Sequence, residues 1–142
     1  MFKKLTETMY VAPQIDVAAV ADAARLGVSL IINNRPDGEA ADQAAGADIA
    51  AAAQAAGIAY VAIPVTQAGF SMPQVEAMAA AIEDAEGKVL AYCRSGTRST
   101  NLWALARAKS GASADALTEA AARAGYDLSP LRAMIDMLGQ RA

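Results

Sequence analysis

The residues whose types and spacing could do chemistry form one short segment, Cys-Arg-Ser-Gly-Thr-Arg at positions 93–98, which holds the only cysteine of the chain. The apolar run at 89–92 before it predicts a buried strand, and residues 99–106 after it predict a helix. At such a turn, free backbone N–H groups and the positive end of the helix dipole converge. The arginines of the segment add positive charge, which favours the reactive thiolate over the thiol. The segment therefore predicts a nucleophilic Cys93 beside an anion-binding loop.

The residues of this loop are predicted to bind an anion or to take part in catalysis. Gly96 allows backbone conformations that strain other residues and lets an anion approach the N–H groups closely. Arg98 is expected to offer a planar pair of donors to an oxyanion, as the second predicted catalytic residue beside Cys93. The Ser99 hydroxyl is expected to donate to the cysteine sulfur, while Arg94 points outward and attracts an anionic substrate. The predicted anion-binding residues are Arg94, Ser95, Gly96, Thr97 and Ser99.

The chain has no histidine and a single cysteine. Cys–His and Ser–His pairs are therefore excluded, and most zinc sites with them. An internal disulfide and a second, resolving cysteine within the chain are excluded as well. Activation of Cys93 must come from its own loop, and we expect neither a metal nor an organic cofactor.

Apolar strand-like runs alternate with helical patterns along the chain. The predicted strands cover residues 9–12, 28–32, 58–63 and 88–92, and the predicted helices cover 16–26, 46–56, 71–85, 99–109, 113–124 and 129–138. Strands that are apolar throughout and joined by helices are typical of a parallel sheet covered on both faces. We therefore predict one α/β domain over residues 1–142, with three layers and a mostly parallel central sheet of four or five strands.

Ligands of such sheets bind at the carboxyl ends of the strands. This rule brings the turn at 33–39, the loop at 66–71 and the cysteine loop to one rim. Arg35, Asp37, Thr66 and Gln67 are the candidate rim residues. Because Arg-Pro-Asp-Gly is also an ordinary turn sequence, Arg35 and Asp37 have a purely structural alternative.

Composition excludes several other classes of function. A net charge of −3 argues against nucleic acid as a partner. The most apolar stretch, residues 49–65, is interrupted by Gln54, Gly57 and Pro64 and is too broken to span a membrane. The two lysines near the start are followed by no apolar segment, as a signal peptide would require. We expect a cytoplasmic protein, and its oligomeric state stays open.

Residues 92–99 resemble the active loop of single-domain rhodaneses, which move sulfane sulfur through a cysteine persulfide. They also resemble the cysteine phosphatases, whose signature places one more residue between cysteine and arginine than this chain does. Four residues separate Cys93 from Arg98, and Ser99 stands where a phosphatase has its arginine. The shorter spacing matches the rhodanese pattern, and the smaller loop implied by that resemblance suits a sulfur anion better than a tetrahedral phosphate.

Residues 31–39 and 60–65 resemble the phosphatase-like domain of the beta-lactamase hydrolase-like proteins, and the resemblance covers nearly the whole chain. It implies a cysteine-phosphatase-like fold that carries a rhodanese-like loop. The family is associated with sulfide oxidation, and its naming has moved between phosphatase and sulfurtransferase.

Leaving-group chemistry separates these two reactions. A phenol has a pKa near ~10, so phosphatases place a carboxylic acid to protonate the departing oxygen. The resemblance to dual-specificity phosphatases implies an Asp within residues 65–71, where this chain has neither Asp nor Glu. Asp37 or Glu39 could substitute for it. Sulfur transfer needs no such acid, because thiosulfate loses sulfite and a persulfide loses a thiolate.

We therefore predict a sulfurtransferase that forms a persulfide on Cys93. Its expected substrates are small anionic or thiol compounds, such as thiosulfate or glutathione persulfide, with an external thiol as acceptor. The enzyme alternative is a phosphatase that acts on a phosphoester through a phosphocysteine. A non-catalytic anion-binding module is the third alternative, and it would not require an activated thiolate.

Overall fold

The computed structural model describes residues 2–66 and 68–140, and a five-stranded sheet forms their centre. The strands are β1 (Lys3–Thr6), β2 (Met9–Ala12), β3 (Val28–Asn33), β4 (Ala59–Ala62) and β5 (Lys88–Tyr92). Their order is β1-β2-β5-β3-β4, with β1 antiparallel to β2 and the other pairs parallel. This confirms the predicted fold class.

Strand β1 is the element that the sequence pattern does not predict. Its lysines are exposed and only Leu5 is buried, so its composition is that of a solvated chain end. Charged side chains of this kind are common on edge strands, where they discourage pairing with other chains. Pairing with β2 decides that this segment is a strand.

Helices cover both faces of the sheet. They are α1 (Val17–Leu26), α2 (Gly46–Ala55), α3 (Met72–Asp84), α4 (Thr97–Lys109), α5 (Ala114–Arg123) and α6 (Arg132–Gln140), and a 3-10 turn at Ser129–Leu131 precedes α6. Local signals set their ends: Asp16 accepts the Ala19 N–H at 2.8 Å, and Gly27 ends α1 with a φ of 91°. Within the described part of the chain, no helix combines the length and apolar character that crossing a bilayer requires.

Alternating side chains of the strands divide the core in two. One set packs against α3, α4, α5 and α6 and consists of Leu5, Met9, Val11, Leu30, Ile32, Val89 and Ala91. The other set packs against α1 and α2 and consists of Tyr10, Ala12, Val28, Ile31, Leu90 and Tyr92. Because both faces of β2, β3 and β5 are buried, these strands are mostly apolar, which is why their pattern predicts a parallel sheet.

The helix after the cysteine begins two residues earlier than its sequence predicts, at Thr97 and not at Ser99. Gly96 precedes it with a left-handed φ of 92°, a conformation that glycine adopts without strain. Arg98 and Ser99 therefore belong to the first turn of α4, where backbone N–H groups have no partner within the helix. The free loop is correspondingly short.

Candidate active site

Cys93 lies at the carboxyl end of β5, which occupies the middle of the sheet. Its backbone N–H donates to the Ala12 carbonyl at 3.3 Å. On the same side the Gln14 N–H donates to the Arg94 carbonyl at 3.2 Å, and on the opposite side the Asn34 N–H donates to the Tyr92 carbonyl at 2.8 Å. The neighbouring segments thus hold the loop from both sides.

The sulfur of Cys93 is fully buried beneath the loop. The Gly96 N–H donates to Sγ at 3.1 Å, and α4 begins at the next residue with the positive end of its dipole at the loop. A backbone donor that faces an ionised sulfur makes a charge-assisted hydrogen bond. This surrounding is suited to a thiolate nucleophile.

The guanidinium of Arg98 is held by Glu39. Its Nη2 donates to Oε1 at 2.7 Å and its Nη1 donates to Oε2 at 2.8 Å, which is the bidentate arrangement that arginine and carboxylate favour. Nη1 also donates to the Val65 carbonyl at 2.6 Å. The pKa of Arg98 is raised, first by the hydrogen bond to Glu39 and more weakly by the charge of Cys93.

Arg35 lies behind Glu39 and is buried. Its Nε donates to Glu39 Oε1 at 2.9 Å, and its Nη1 donates to Gln14 Oε1 at 3.1 Å. Glu39 therefore bridges two guanidinium groups, and Arg35 reaches the site through this carboxylate. Neither the bridging position of Glu39 nor the contact of Gln14 has a signal in the sequence, since Arg98 is 59 residues from Glu39.

The candidate rim residues do not all lie at the same cleft. Thr66 lines the cleft above Arg98, whereas Gln67 lies outside the described residues. The Asp37 carboxylate accepts the Gly46 N–H at 2.8 Å and lines a neighbouring pocket together with Tyr60. One oxygen of the Asp37 carboxylate is therefore engaged at the start of α2, and the expectation that Asp37 could serve the cysteine as an acid stays a prediction.

Ser99 also differs from its predicted contact. Its hydroxyl donates to Asn34 Oδ1 at 2.8 Å and not to the cysteine sulfur. The Asn34 amide is fully buried and needs partners, and its Nδ2 donates to the Ile63 carbonyl at 2.9 Å. The start of α4 at Thr97 turns Ser99 toward this amide. Ser99 therefore ties the helix to the segment after β3.

Tyr126, between α5 and α6, contacts the loop and was missed by sequence reasoning. Its hydroxyl donates to the Ser95 carbonyl at 2.9 Å, while the Ser95 hydroxyl donates to Thr97 Oγ1 at 3.0 Å. Lys3 of β1 places its Nζ 5.9 Å from the centroid of the Tyr126 ring. Tyr126 is 31 residues from Ser95, and an isolated tyrosine after a helix is no sign of a site.

The three predicted rim segments meet around one open cleft of about 700 Å³. The residues that line it are Pro36, Glu39, Thr66, Arg94, Ser95, Thr97 and Arg98. Arg94 is exposed, in agreement with its predicted outward direction, and Arg98 is partly buried. Two arginines against one carboxylate give the lining an excess of positive charge, which suits an anionic substrate.

Because Glu39 bridges Arg35 and Arg98, we expect the free energy of unfolding to depend on pH in the acid range. Its pKa falls from 4.5 to about 2, first because of the hydrogen bond to Arg98 and then that to Arg35, while burial opposes the shift. Since the folded pKa is the lower one, the contribution to stability is present above pH 4.5 and is lost as the pH falls toward 2. We measure the free energy of unfolding with denaturant over this pH range. In Glu39→Gln it should not show the part of the decline that comes from protonation of Glu39.

The matched control is Glu76→Gln, which changes an exposed glutamate on α3. This variant should keep the full decline of the wild-type protein. A Glu39→Gln variant whose unfolding free energy falls in parallel with that of the wild type would show that Glu39 is not held by the arginines in solution.

Comparison with known proteins places this chain in a family. Residues 1–110 match the family described as beta-lactamase hydrolase-like protein, phosphatase-like domain. A beta-lactamase hydrolase-like protein of Xylella fastidiosa is 36% identical over 125 residues, which are 87% of this chain and 29% of that relative. The chain thus spans less than a third of the length of the curated relatives it matches.

Solved structures agree on the fold. The crystal structure of a proposed phosphatase from Neisseria meningitidis is 37% identical, covers 96% of each chain and superposes with a TM-score of 0.83. TpbA of P. aeruginosa, in complex with pTyr, is 19% identical with a TM-score of 0.68 and covers 98% of this chain and 88% of its own. The latter shows the fold alone. The fold is that of the cysteine phosphatases, and the chain belongs to the family of phosphatase-like domains of beta-lactamase hydrolase-like proteins.

Proposed function

We propose that this chain is an enzyme that transfers sulfane sulfur through a persulfide on Cys93. The observation that supports this reaction is the state of Glu39, the one carboxylate among the described residues that line the cleft. Two arginines hold it, and with a pKa of about 2 it carries no proton at neutral pH. A general acid must be protonated at the working pH, so the described residues of the cleft do not supply the proton that an alkoxide or phenolate leaving group needs.

The reaction proceeds in two displacements. The Cys93 thiolate attacks the outer sulfur of thiosulfate, a new S–S bond forms, and sulfite leaves with the electron pair of the bond that breaks. An external thiol then loses its proton to solvent and attacks the outer sulfur of the persulfide. The Cys93 thiolate is released, and the acceptor leaves as the persulfide. Both leaving groups are stable as anions, so neither step requires a proton from the protein.

The loop supports these steps with fixed groups. The Gly96 N–H and the start of α4 stabilise the Cys93 thiolate each time it forms. Arg94 at the mouth attracts the anionic donor. Arg98 binds the departing anion when the donor takes the place of the Glu39 carboxylate on its guanidinium.

The second candidate is a phosphatase, and the names of the relatives favour it over sulfur transfer. The family is described as phosphatase-like, and the Neisseria meningitidis neighbour is a proposed phosphatase at 37% identity. In this reaction Cys93 attacks phosphorus, the alcohol leaves and water hydrolyses the phosphocysteine. Glu39 would have to leave Arg98 and take up a proton before it could serve as the acid.

Intact-protein mass after brief exposure to thiosulfate or glutathione persulfide tests the proposal. We expect the wild-type protein to gain one sulfur atom, which cyanide removes. Cys93→Ser should show no gain and should lose turnover by at least about a thousandfold, since the nucleophile is removed. Turnover of p-nitrophenyl phosphate is measured alongside.

The other outcomes contradict sulfur transfer in different ways. Release of nitrophenol that depends on Cys93, without a gain of sulfur, would make the protein a phosphatase. Neither reaction, together with anion binding that survives Cys93→Ser, would indicate a non-catalytic anion-binding module.

A further inference from the structure

The contact of Tyr126 with the cysteine loop is close and specific. Its hydroxyl donates to the Ser95 carbonyl at 2.9 Å. The same hydroxyl lies so near Gly96 that a Cβ on that residue would overlap it. The ring is half-buried, so the tyrosine packs directly on the turn that covers Cys93.

The peptide between Ser95 and Gly96 connects this tyrosine to the sulfur. A peptide unit is planar, and its carbonyl and N–H point in opposite directions. The carbonyl of this unit accepts from Tyr126, and its N–H donates to Cys93 Sγ at 3.1 Å. A hydrogen bond to the carbonyl fixes the rotation of the unit and polarises its N–H.

We propose that Tyr126 is a positioning residue, which holds the Ser95–Gly96 peptide so that its N–H stabilises the Cys93 thiolate. The inference depends on the nucleophilic role of Cys93 and applies equally to sulfur transfer and to phosphate hydrolysis. Tyr126 acts through the peptide, and its hydroxyl is engaged by the Ser95 carbonyl.

The surroundings keep this hydroxyl protonated. Partial burial raises the pKa of Tyr126, and the charge of Cys93 raises it further. The Tyr126 hydroxyl therefore stays a donor at neutral pH. The charged and titratable groups close to the peptide and the tyrosine are Lys3, Glu39, Arg94, Arg98 and Cys93.

Tyr126→Phe removes the hydroxyl and keeps the ring. We expect the midpoint of thiolate formation at Cys93 to move to higher pH by about half a unit to one unit, the equivalent of one hydrogen bond. The readout is the ultraviolet absorbance of the thiolate, which reports Cys93 because the chain has one cysteine. The same titration with Cys93→Ser in each background removes the contribution of the tyrosines.

Tyr10→Phe is the matched control. Tyr10 lies on β2 in the opposite core, and Lys88 Nζ lies 6.0 Å from its ring centroid, as Lys3 lies over Tyr126. This variant undergoes the same chemical change beside a lysine, and its midpoint should equal that of the wild type. An unchanged midpoint in Tyr126→Phe would overturn the proposal, as would an equal shift in both variants.

A second measurement needs no variant at position 126. In wild-type protein labelled with ¹⁵N-glycine, the Gly96 amide resonance should follow the ionisation of Cys93. A Gly96 resonance that does not respond would overturn the proposal even if Tyr126→Phe failed to fold. Because neither measurement uses a substrate, absence of sulfur transfer would contradict the proposed function and leave the role of Tyr126 standing.

Discussion

Replacing Arg98 by lysine is expected to lower kcat/KM by about a hundredfold or more, the effect of losing a fixed donor to a developing anion. Lysine keeps the positive charge but cannot present two parallel N–H groups, as Arg98 does to the two oxygens of Glu39. The same change should weaken inhibition by sulfate, since the ground-state anion uses the same pair of donors. Steady-state kinetics with thiosulfate and with p-nitrophenyl phosphate measure both effects.

Arg132→Lys is the control for this substitution. Arg132 also binds a carboxylate, that of Asp115, at 2.6 Å, but it lies on the surface near the start of α6. Its replacement should leave the kinetics unchanged, because Arg132 is not among the residues that line the cleft, and should cost little stability, because exposed ion pairs contribute little. Full activity of Arg98→Lys would show that only the charge at this position matters, and the bidentate role of Arg98 would have to be abandoned.

Gly96→Ala is expected to damage both folding and activity. The φ of 92° at this position is left-handed, where a side chain costs about 1–2 kcal/mol. The added Cβ also overlaps the Tyr126 hydroxyl. Either the tyrosine moves and releases the Ser95 carbonyl, or the turn itself moves, and in both cases the Gly96 N–H loses the support that holds it on the Cys93 sulfur. We expect turnover to fall by about a hundredfold, the size of the effect when one fixed donor is removed. Denaturant unfolding and turnover are measured on the same samples.

Gly111→Ala separates strain from steric overlap. Gly111 has a φ of 100°, but a Cβ built there meets no heavy atom within 4 Å. It should lose a similar amount of stability through backbone strain and keep full activity. Equal turnover of the two alanine variants would falsify the view that the Gly96 turn sets the reactivity of Cys93.

The sequence alone predicted the architecture because its signals are local. Asp16 and Gly27 bound α1 by capping, and the apolar run at 89–92 is that of a strand buried on both faces. Strand β1 escaped prediction because three of its four residues are exposed, and only the edge of β2 gives it a partner. Helix α4 begins earlier than the sequence predicts because Gly96 adopts the left-handed conformation directly before it.

The candidate site also has a part that the sequence predicts and a part that only the fold reveals. Residues 93–98 are contiguous, so the cysteine, the glycine and the arginine of the loop could be recognised from the sequence. The partners of these residues come from distant segments: Glu39 for Arg98, Asn34 for Ser99 and Tyr126 for the Ser95 carbonyl. Hydrogen bonds between segments so far apart depend on how helices and strands pack, which no local pattern encodes. The sequence by itself determined the nucleophile and its loop, and only the tertiary structure decided which groups orient that loop and occupy its arginine.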